Sequence, residues 1–254
     1  MEMLDLSASL LAWAMAVALL AGVVKGMVGF AMPLILISLL SSFMSPALAL
    51  AGLILPTLVT NGLQSLRQGP QAALVTVREF RLFMGVGLIA LLIGAQMVGA
   101  VSQRALLLMI GVPVLCFTVI MLAGWQPRPA PNQRRRVEVV TGSVAGLIGG
   151  MSGVWGPPTV MLLTALDTPK EQHLRAQGVI YGLGALALAV AHVVSGILTW
   201  QTALFSALLV PPAFVGMRIG LALSDRFDQV AFRRATLVVL LVVALNLLRR
   251  AVTG

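Results

Sequence analysis

The stretch Gly22-Val-Val-Lys-Gly-Met-Val-Gly-Phe-Ala-Met-Pro33 returns 124 residues later as Gly146-Leu-Ile-Gly-Gly-Met-Ser-Gly-Val-Trp-Gly-Pro157. Five residues of the first copy are identical in the second at that offset: Gly22, Gly26, Met27, Gly29 and Pro33. Glycine and proline are poor helix formers. Their shared pattern in apolar sequence predicts two apolar helices that are interrupted at the same place. In membrane transporters, paired interruptions in two halves of a chain indicate a binding site.

The composition is that of a membrane protein. Hydrophobic residues make up 59% of the chain and charged residues 10%, which is far from the balance of a soluble domain. Continuous apolar runs of about 20 residues, the length that crosses a bilayer, favour helices over a barrel. The acidic N-terminus lacks the basic region of a signal peptide, so the first segment is expected to be retained. We predict an all-α polytopic protein of the cell (inner) membrane.

The net charge of +9 comes largely from arginines in short loops beside apolar segments, such as Arg134–Arg136 and Arg249–Arg250. Arginines in this position set membrane topology and contact anionic lipid. Membrane lipids are therefore expected partners, and nucleic acid is not.

Eight apolar elements are predicted, at about 7–42, 46–66, 82–101, 105–124, 137–166, 174–198, 203–223 and 235–248. A basic linker rich in proline and arginine, 125–136, separates two repeats of four elements, 1–124 and 137–254. The first element of each repeat contains the interruption. A second, weaker similarity between the two repeats, called the weaker sequence echo below, aligns Gly94-Ala-Gln-Met with Gly216-Met-Arg-Ile at an offset of 122.

The distribution of basic residues bears on topology, because cytoplasmic loops are enriched in Lys and Arg. Of the 17 basic residues, Lys25 and Arg218 lie inside apolar segments, which leaves 15. If every element crosses the membrane once, nine of these residues lie on one side and six on the other. If the two interrupted elements turn back at their glycines, twelve lie on one side and three on the other. The second arrangement predicts inverted repeats with both termini outside the cytoplasm. The count does not separate a re-entrant hairpin from two short full crossings.

The two interruptions predict an anion site. A helix N-terminus presents unpaired N–H groups and about half a positive charge, and a proline suits its first turn. The predicted binding residues at the interruptions, with Trp155 as a wall of the cavity, are Gly26, Gly29, Pro33, Gly150, Gly153, Trp155, Gly156 and Pro157. The alternative is that these glycines only permit close helix packing.

Ionisable residues inside a membrane are functional by default, and here they are Lys25, Arg218 and His192, without a carboxylate. This favours an anion over a carboxylate-based sodium site or proton relay. Lys25 and Arg218 are predicted to bind substrate. The alternatives are that Lys25 extends to the membrane surface, that Arg218 reaches the loop around Asp225, and that His192 serves packing.

A polar cluster in the second element contains Thr60, Asn61 and Gln64. Asn61 and Gln64 are three residues apart and share a helix face. We predict that both donate hydrogen bonds to an oxyanion, although a bond to a neighbouring helix would also explain them.

No enzyme constellation is present in the sequence. Two distant histidines and one cysteine make no metal-ligand cluster, and no P-loop occurs. We therefore predict no enzyme, no metal and no cofactor, with any energy supplied by a gradient.

The repeated Gly-rich interruption followed by proline, the basic central linker, Met44-Ser-Pro-Ala47 and Thr60-Asn-Gly-Leu-Gln64 resemble the TauE/SafE sulfite exporter family over essentially the whole chain. The resemblance implies transport of sulfite, sulfonates, thiosulfate or related small anions, often outward. One departure is that the first copy has Met32 where the second has Gly156, so the two interruptions need not be equally open.

We predict a secondary transporter, with export as the expected direction, that binds a small anion between the two interrupted helices and works by alternating access. The alternatives are a passive anion channel and a membrane scaffold that transports nothing. The identity of the anion, a coupling ion (proton or sodium) and a homo-oligomeric state stay open.

Overall fold

The computed structural model describes residues 7–40, 42–96, 102–124, 129–152, 155–194 and 197–253. In these ranges the regular secondary structure is entirely helical, with no strand. Eleven α-helices and a short 3-10 helix, Pro131–Gln133, follow one another along it. The α-helices are α1 (Ala8–Val28), α2 (Met32–Leu40), α3 (Pro46–Leu66), α4 (Pro70–Glu79), α5 (Arg81–Gln96), α6 (Gln103–Leu122), α7 (Arg134–Ser152), α8 (Gly156–Ala165), α9 (Lys170–Val194), α10 (Trp200–Ser224) and α11 (Gln229–Thr253).

A serine or threonine occupies the N-cap position of four of these helices. A serine or threonine at the N-cap position accepts a hydrogen bond from a first-turn N–H, which satisfies a donor that has no partner within the helix. The N-cap residues are Ser7 for α1, Ser45 for α3, Ser102 for α6 and Thr199 for α10. In α3, Pro46 follows the cap, where its missing N–H costs nothing.

Five helices of the described chain are long and apolar enough to cross a membrane: Ala8–Val28, Leu48–Leu66, Lys170–Val190, Trp200–Ser224 and Gln229–Val252. A sixth apolar stretch, Arg81–Gly94, is shorter. Large apolar side chains such as Leu92, Val242 and Trp200 are exposed on these helices. Exposed apolar surface of this extent is typical of contact with lipid. The protein is an all-helical membrane protein, while the arrangement of eight elements as inverted repeats stays a prediction.

Two local features differ from the elements predicted from the sequence. Helix α4 occupies a stretch predicted as a connection, because its ten residues are too few and too polar to resemble a crossing. The arginines assigned to the linker, Arg134–Arg136, form the first turn of α7, since arginine is a good helix former. Residues 125–128 of the linker lie outside the described ranges.

The chain divides into two compact units. Unit 1 contains residues 1–69 and 177–228, and unit 2 contains residues 70–176 and 229–254. Helix α9 begins in unit 2 and continues in unit 1. Each unit therefore draws helices from both predicted repeats. Compactness and sequence repetition are different criteria, so the division into repeats stays a prediction.

In unit 1, α1 packs along α10 with their backbones in close approach. A Cβ atom on any of four glycines would lie 2.0–2.3 Å from a carbonyl oxygen of the opposite helix; they are Gly22 and Gly26 on α1, and Gly216 and Gly220 on α10. No side chain fits at such distances, so only glycine permits this packing. Helix α2 packs against α1 and α3 and buries Met32, Leu36 and Leu40 in the core of the unit.

In unit 2, α5 and α7 pack in the same manner. A Cβ on Gly146 would lie 2.1 Å from the Gly87 carbonyl oxygen, and one on Gly94 would lie 2.4 Å from the Leu147 carbonyl oxygen. Helices α6 and α11 form a second pair in this unit, and α8 packs against both α6 and α7.

A side chain of α10 replaces a backbone hydrogen bond that a proline removes from α3. Pro56 has no N–H, so the carbonyl of Gly52, four residues earlier, loses its helical partner. The Ser206 hydroxyl of α10 donates to that carbonyl over 3.1 Å and accepts from the Leu55 N–H over 3.0 Å. Within a membrane such compensation matters because water does not replace the lost bond.

Candidate functional site

The first interruption lies in unit 1, between α1 and α2. Helix α1 ends at Gly29, which adopts a left-handed conformation with φ 85° and donates to the Lys25 carbonyl over 2.6 Å. Glycine suits this position because it lacks a Cβ. Ala31 is also left-handed, with φ 73°, and its carbonyl accepts from the Ile35 N–H over 3.0 Å at the start of α2. The chain thus begins a new helix after three residues.

A polar face of α3 packs against this interruption. Thr57, Thr60, Asn61 and Gln64 have the spacing i, i+3, i+4 and i+7, which places them on one side of a helix. All four are buried. The Gln64 side chain donates to the Gly29 carbonyl over 3.2 Å. The Thr60 hydroxyl donates to the Pro56 carbonyl over 2.6 Å and lies 3.5 Å from the Met32 sulfur.

Lys25 lies in the last turn of α1 and is one of the most buried side chains of the described chain, with 1% of its surface exposed. Its Nζ donates a hydrogen bond to Oδ1 of Asn61. Among the described residues it forms no salt bridge. The structure thus brings together Lys25, Gly29, Asn61 and Gln64 from the predicted set, and the group consists of a cation, two amides and the end of a helix.

Three other predicted residues of unit 1 have different surroundings. Gly26 faces the backbone of α10, where its missing Cβ permits close packing, so contact with substrate stays a prediction. Pro33 lies in the first turn of α2 and is half-buried. Arg218 lies on α10 with an exposed side chain. Asp225, the residue proposed as its alternative partner, pairs with Arg67 through both carboxylate oxygens at 2.8 and 2.9 Å.

The second interruption lies in unit 2, between α7 and α8. Gly150 belongs to α7, and Gly153 lies outside the described residues. Trp155 caps α8, and its ring lies against Gly149, where a Cβ would lie 2.8 Å from a ring carbon. The first turn of α8 contains Gly156, Pro157 and Pro158. Since prolines supply no N–H, two of these three residues offer no backbone donor.

Gln177, which lies on α9 within unit 1, is not among the residues predicted from the sequence. Its side chain has no exposed surface, and neither its amide nitrogen nor its amide oxygen has a hydrogen-bond partner in the described chain. The next residue, Gly178, lies against α3, where a Cβ would be 3.0 Å from Cγ of Gln64. A glutamine inside an apolar segment was the available signal, since a buried amide requires partners.

Within the described ranges, no group of three or more His, Cys, Asp or Glu side chains could hold a metal ion. The buried carboxylate of Glu138 is bound by Arg134, which also contacts Glu79.

Comparison with known proteins supplies the decisive observation. The family model of the sulfite exporter TauE/SafE matches residues 14–247. The chain belongs to the TauE/SafE sulfite exporter family. Because TauE/SafE is a family of transporters, the chain is a membrane transport protein by descent. No curated protein matched this TauE/SafE chain, and no solved structure matched it.

Proposed function

We propose that the protein is a secondary transporter of the inner membrane that exports a small anion such as sulfite, a sulfonate or thiosulfate. The single observation that carries this proposal is buried Lys25, whose hydrogen-bond partner is the neutral amide of Asn61. Membership of the TauE/SafE family supports the class of substrate.

The charge of Lys25 favours an anion. A lysine within a membrane-spanning helix costs roughly 3 kcal/mol or more, and an amide oxygen compensates only part of the positive charge. An anionic substrate would supply the missing negative charge. A cation would instead need carboxylates, and Lys25 has none as a partner in the described chain.

The groups around Lys25 could orient an oxyanion. The N-terminus of α2 begins at Met32, and a helix N-terminus favours negative charge. The amide nitrogens of Asn61 and Gln64 are donors on the same face of α3. Pro33 shapes the first turn of α2 without supplying an N–H. Arg218 and Trp155, with Gly150, Gly153, Gly156 and Pro157, stay predicted contacts, and alternating access stays the proposed mechanism.

The glycine contacts support an internal repeat and refine its alignment. In unit 1, a Cβ on Gly22 would lie against the carbonyl oxygen of Ala213, just as a Cβ on Gly146 would lie against that of Gly87 in unit 2. In the same way, a Cβ on Gly220 would lie against the carbonyl oxygen of Val23, and a Cβ on Gly94 against that of Leu147. The offsets are 124 for the interrupted helices (146 − 22 and 147 − 23) and 126 for their partners (213 − 87 and 220 − 94). The weaker sequence echo, at 122, differs from this contact-based offset by four residues, or about one helical turn.

Counterflow in proteoliposomes tests the proposed function. Vesicles loaded with unlabelled sulfite, thiosulfate or taurine are placed in labelled substrate of the same kind. A transporter accelerates uptake of label when substrate is present on the opposite side, whereas a channel conducts without this acceleration. Absence of flux for all three compounds would contradict the proposal and favour a scaffold.

A further inference from the structure

Unit 2 contains a small cavity, lined in part by polar residues, that is separate from the interruption between α7 and α8. It lies among the end of α8, the start of α9 and the first turns of α11. The ring of Phe232 on α11 closes one side and meets the His173 ring edge to face, with centroids 5.4 Å apart.

Three side chains that line this cavity carry a buried polar atom without a hydrogen-bond partner in the described chain. They are Oγ1 of Thr164 on α8, Nε2 of His173 on α9 and Oγ1 of Thr236 on α11. Each comes from a different helix. A buried polar atom left unpaired costs about 1–3 kcal/mol, so three around one cavity indicate a shared partner.

The neighbouring polar groups have partners of their own. The Gln229 side chain accepts from the Lys170 N–H over 2.8 Å and donates to the Thr168 carbonyl over 3.3 Å. Arg233 lies 3.5 Å from the carboxylate of Asp167. The three residues that carry an unpaired buried atom therefore line a cavity whose neighbouring polar side chains have partners of their own.

The size of the cavity restricts its occupant. The centre of a water-sized sphere can occupy about 10 Å³ of it, and a cavity needs roughly that volume to hold one water molecule. A sulfur oxyanion has several heavy atoms and does not fit. A buried water typically makes about three hydrogen bonds, which equals the number of unpaired atoms.

We propose that this cavity is a binding site for one water molecule, held by Thr164, His173 and Thr236. The water donates a hydrogen bond to Nε2 of His173, so the ring carries its proton on Nδ1. The two threonine hydroxyls supply the other bonds, since each can donate or accept. The water joins α8 to α9 and α11, and α8 is the helix that follows the second interruption. This proposal does not depend on the identity of the transported anion.

Nitrogen NMR of the histidine rings tests the site directly. The chain has only two histidines, so His192→Gln leaves one ring signal, that of His173. The expected spectrum shows an unprotonated Nε2, shifted towards the position of a hydrogen-bonded nitrogen, with magnetisation transfer from water to the ring. A protonated Nε2 bonded directly to a threonine, or a ring without transfer from water, would overturn the proposal.

A substitution in the same background adds a second readout. Thr236→Val keeps the shape of the side chain and removes one bond to the water, so the Nε2 signal should move towards that of a free ring nitrogen. Thr118→Val is the matched control, because the buried Thr118 hydroxyl donates to the Val114 carbonyl of its own helix over 2.7 Å, and it should leave the signal unchanged. If Thr236→Val leaves the Nε2 signal unchanged, the result contradicts the proposed water site. If Thr236→Val does not fold, the parent spectrum still decides.

Discussion

Lys25 of α1 donates a hydrogen bond to Asn61 of α3, and this bond joins the end of the first long helix to a buried polar face of the third. Lysine is seldom buried unless it is paired, and here its partner is an uncharged amide. In the proposed anion site, this lysine and the N-terminus of α2 would both favour a negatively charged ligand.

Asn61→Asp should weaken substrate binding while leaving the protein folded. The new carboxylate would pair with Lys25 and compete with the anionic substrate, since an adjacent opposite charge neutralises the site. We expect at least about a tenfold loss of substrate affinity, equivalent to 1.4 kcal/mol, measured as the concentration dependence of flux. The unfolding temperature in detergent should not fall.

The same substitution at another asparagine provides the control. Asn246 accepts from Arg249 over 3.0 Å at an exposed position, so Asn246→Asp should leave flux unchanged. Equal flux in wild type and Asn61→Asp would contradict the proposal that Lys25 belongs to the binding site.

Ser206→Ala should destabilise unit 1. The Ser206 hydroxyl serves both the Gly52 carbonyl, which Pro56 deprives of its helical partner, and the Leu55 N–H. Leaving such groups unpaired costs about 1–3 kcal/mol, which should lower the unfolding temperature. Ser42→Ala is the control, because the Ser42 hydroxyl is exposed and donates only to the nearby Leu39 carbonyl. An equal effect of both substitutions would show that Ser206 does not compensate the proline.

Gly146→Ala should disrupt the contact between α5 and α7. Its Cβ would lie 2.1 Å from the Gly87 carbonyl oxygen, in rigid backbone that cannot yield without separating the helices. Gly85→Ala, on α5 with nothing within 4 Å of the added atom, should be neutral or stabilise by up to about 1 kcal/mol. Thermal unfolding of the two variants checks the contrast, and a Gly146→Ala protein as stable as Gly85→Ala would refute the close packing.

Ala31→Gly should raise stability, because alanine at φ 73° is strained by roughly 1–2 kcal/mol and glycine is not. Ala12→Gly, at an exposed position inside α1, should instead lower stability by about 0.5–1 kcal/mol. The unfolding temperatures should move in opposite directions. A decrease for Ala31→Gly would mean that the interruption is not strained.

Composition and the length of apolar runs were sufficient to predict a helical membrane protein, because crossing a bilayer imposes length and polarity directly. The repeated glycines predicted where α1 and α7 end. They did not indicate that Gly22 and Gly26 face the backbone of α10, since packing partners depend on tertiary structure. Asn61 and Gln64 were identifiable from their spacing, whereas Gln177 and His173 gained significance only from their burial without partners.

Helix α4 was missed for a related reason. Its ten residues follow a left-handed Gly69 and are half polar, so neither length nor hydropathy separated it from a loop. The exposed position of Arg218 could not be predicted from the sequence either. A helix that is apolar on all sides has no polar face from which the orientation of its side chains could be inferred.

The most direct test is saturable flux of labelled sulfite, thiosulfate and taurine in proteoliposomes, compared among wild type, Lys25→Met and Lys170→Met. Methionine retains the length of the lysine side chain and removes its charge, and Lys170 is the only other lysine of the chain. We predict that wild type and Lys170→Met transport at least one of these compounds and that Lys25→Met loses this flux. A Lys25→Met protein that transports the anion with the affinity and rate of wild type would contradict the account.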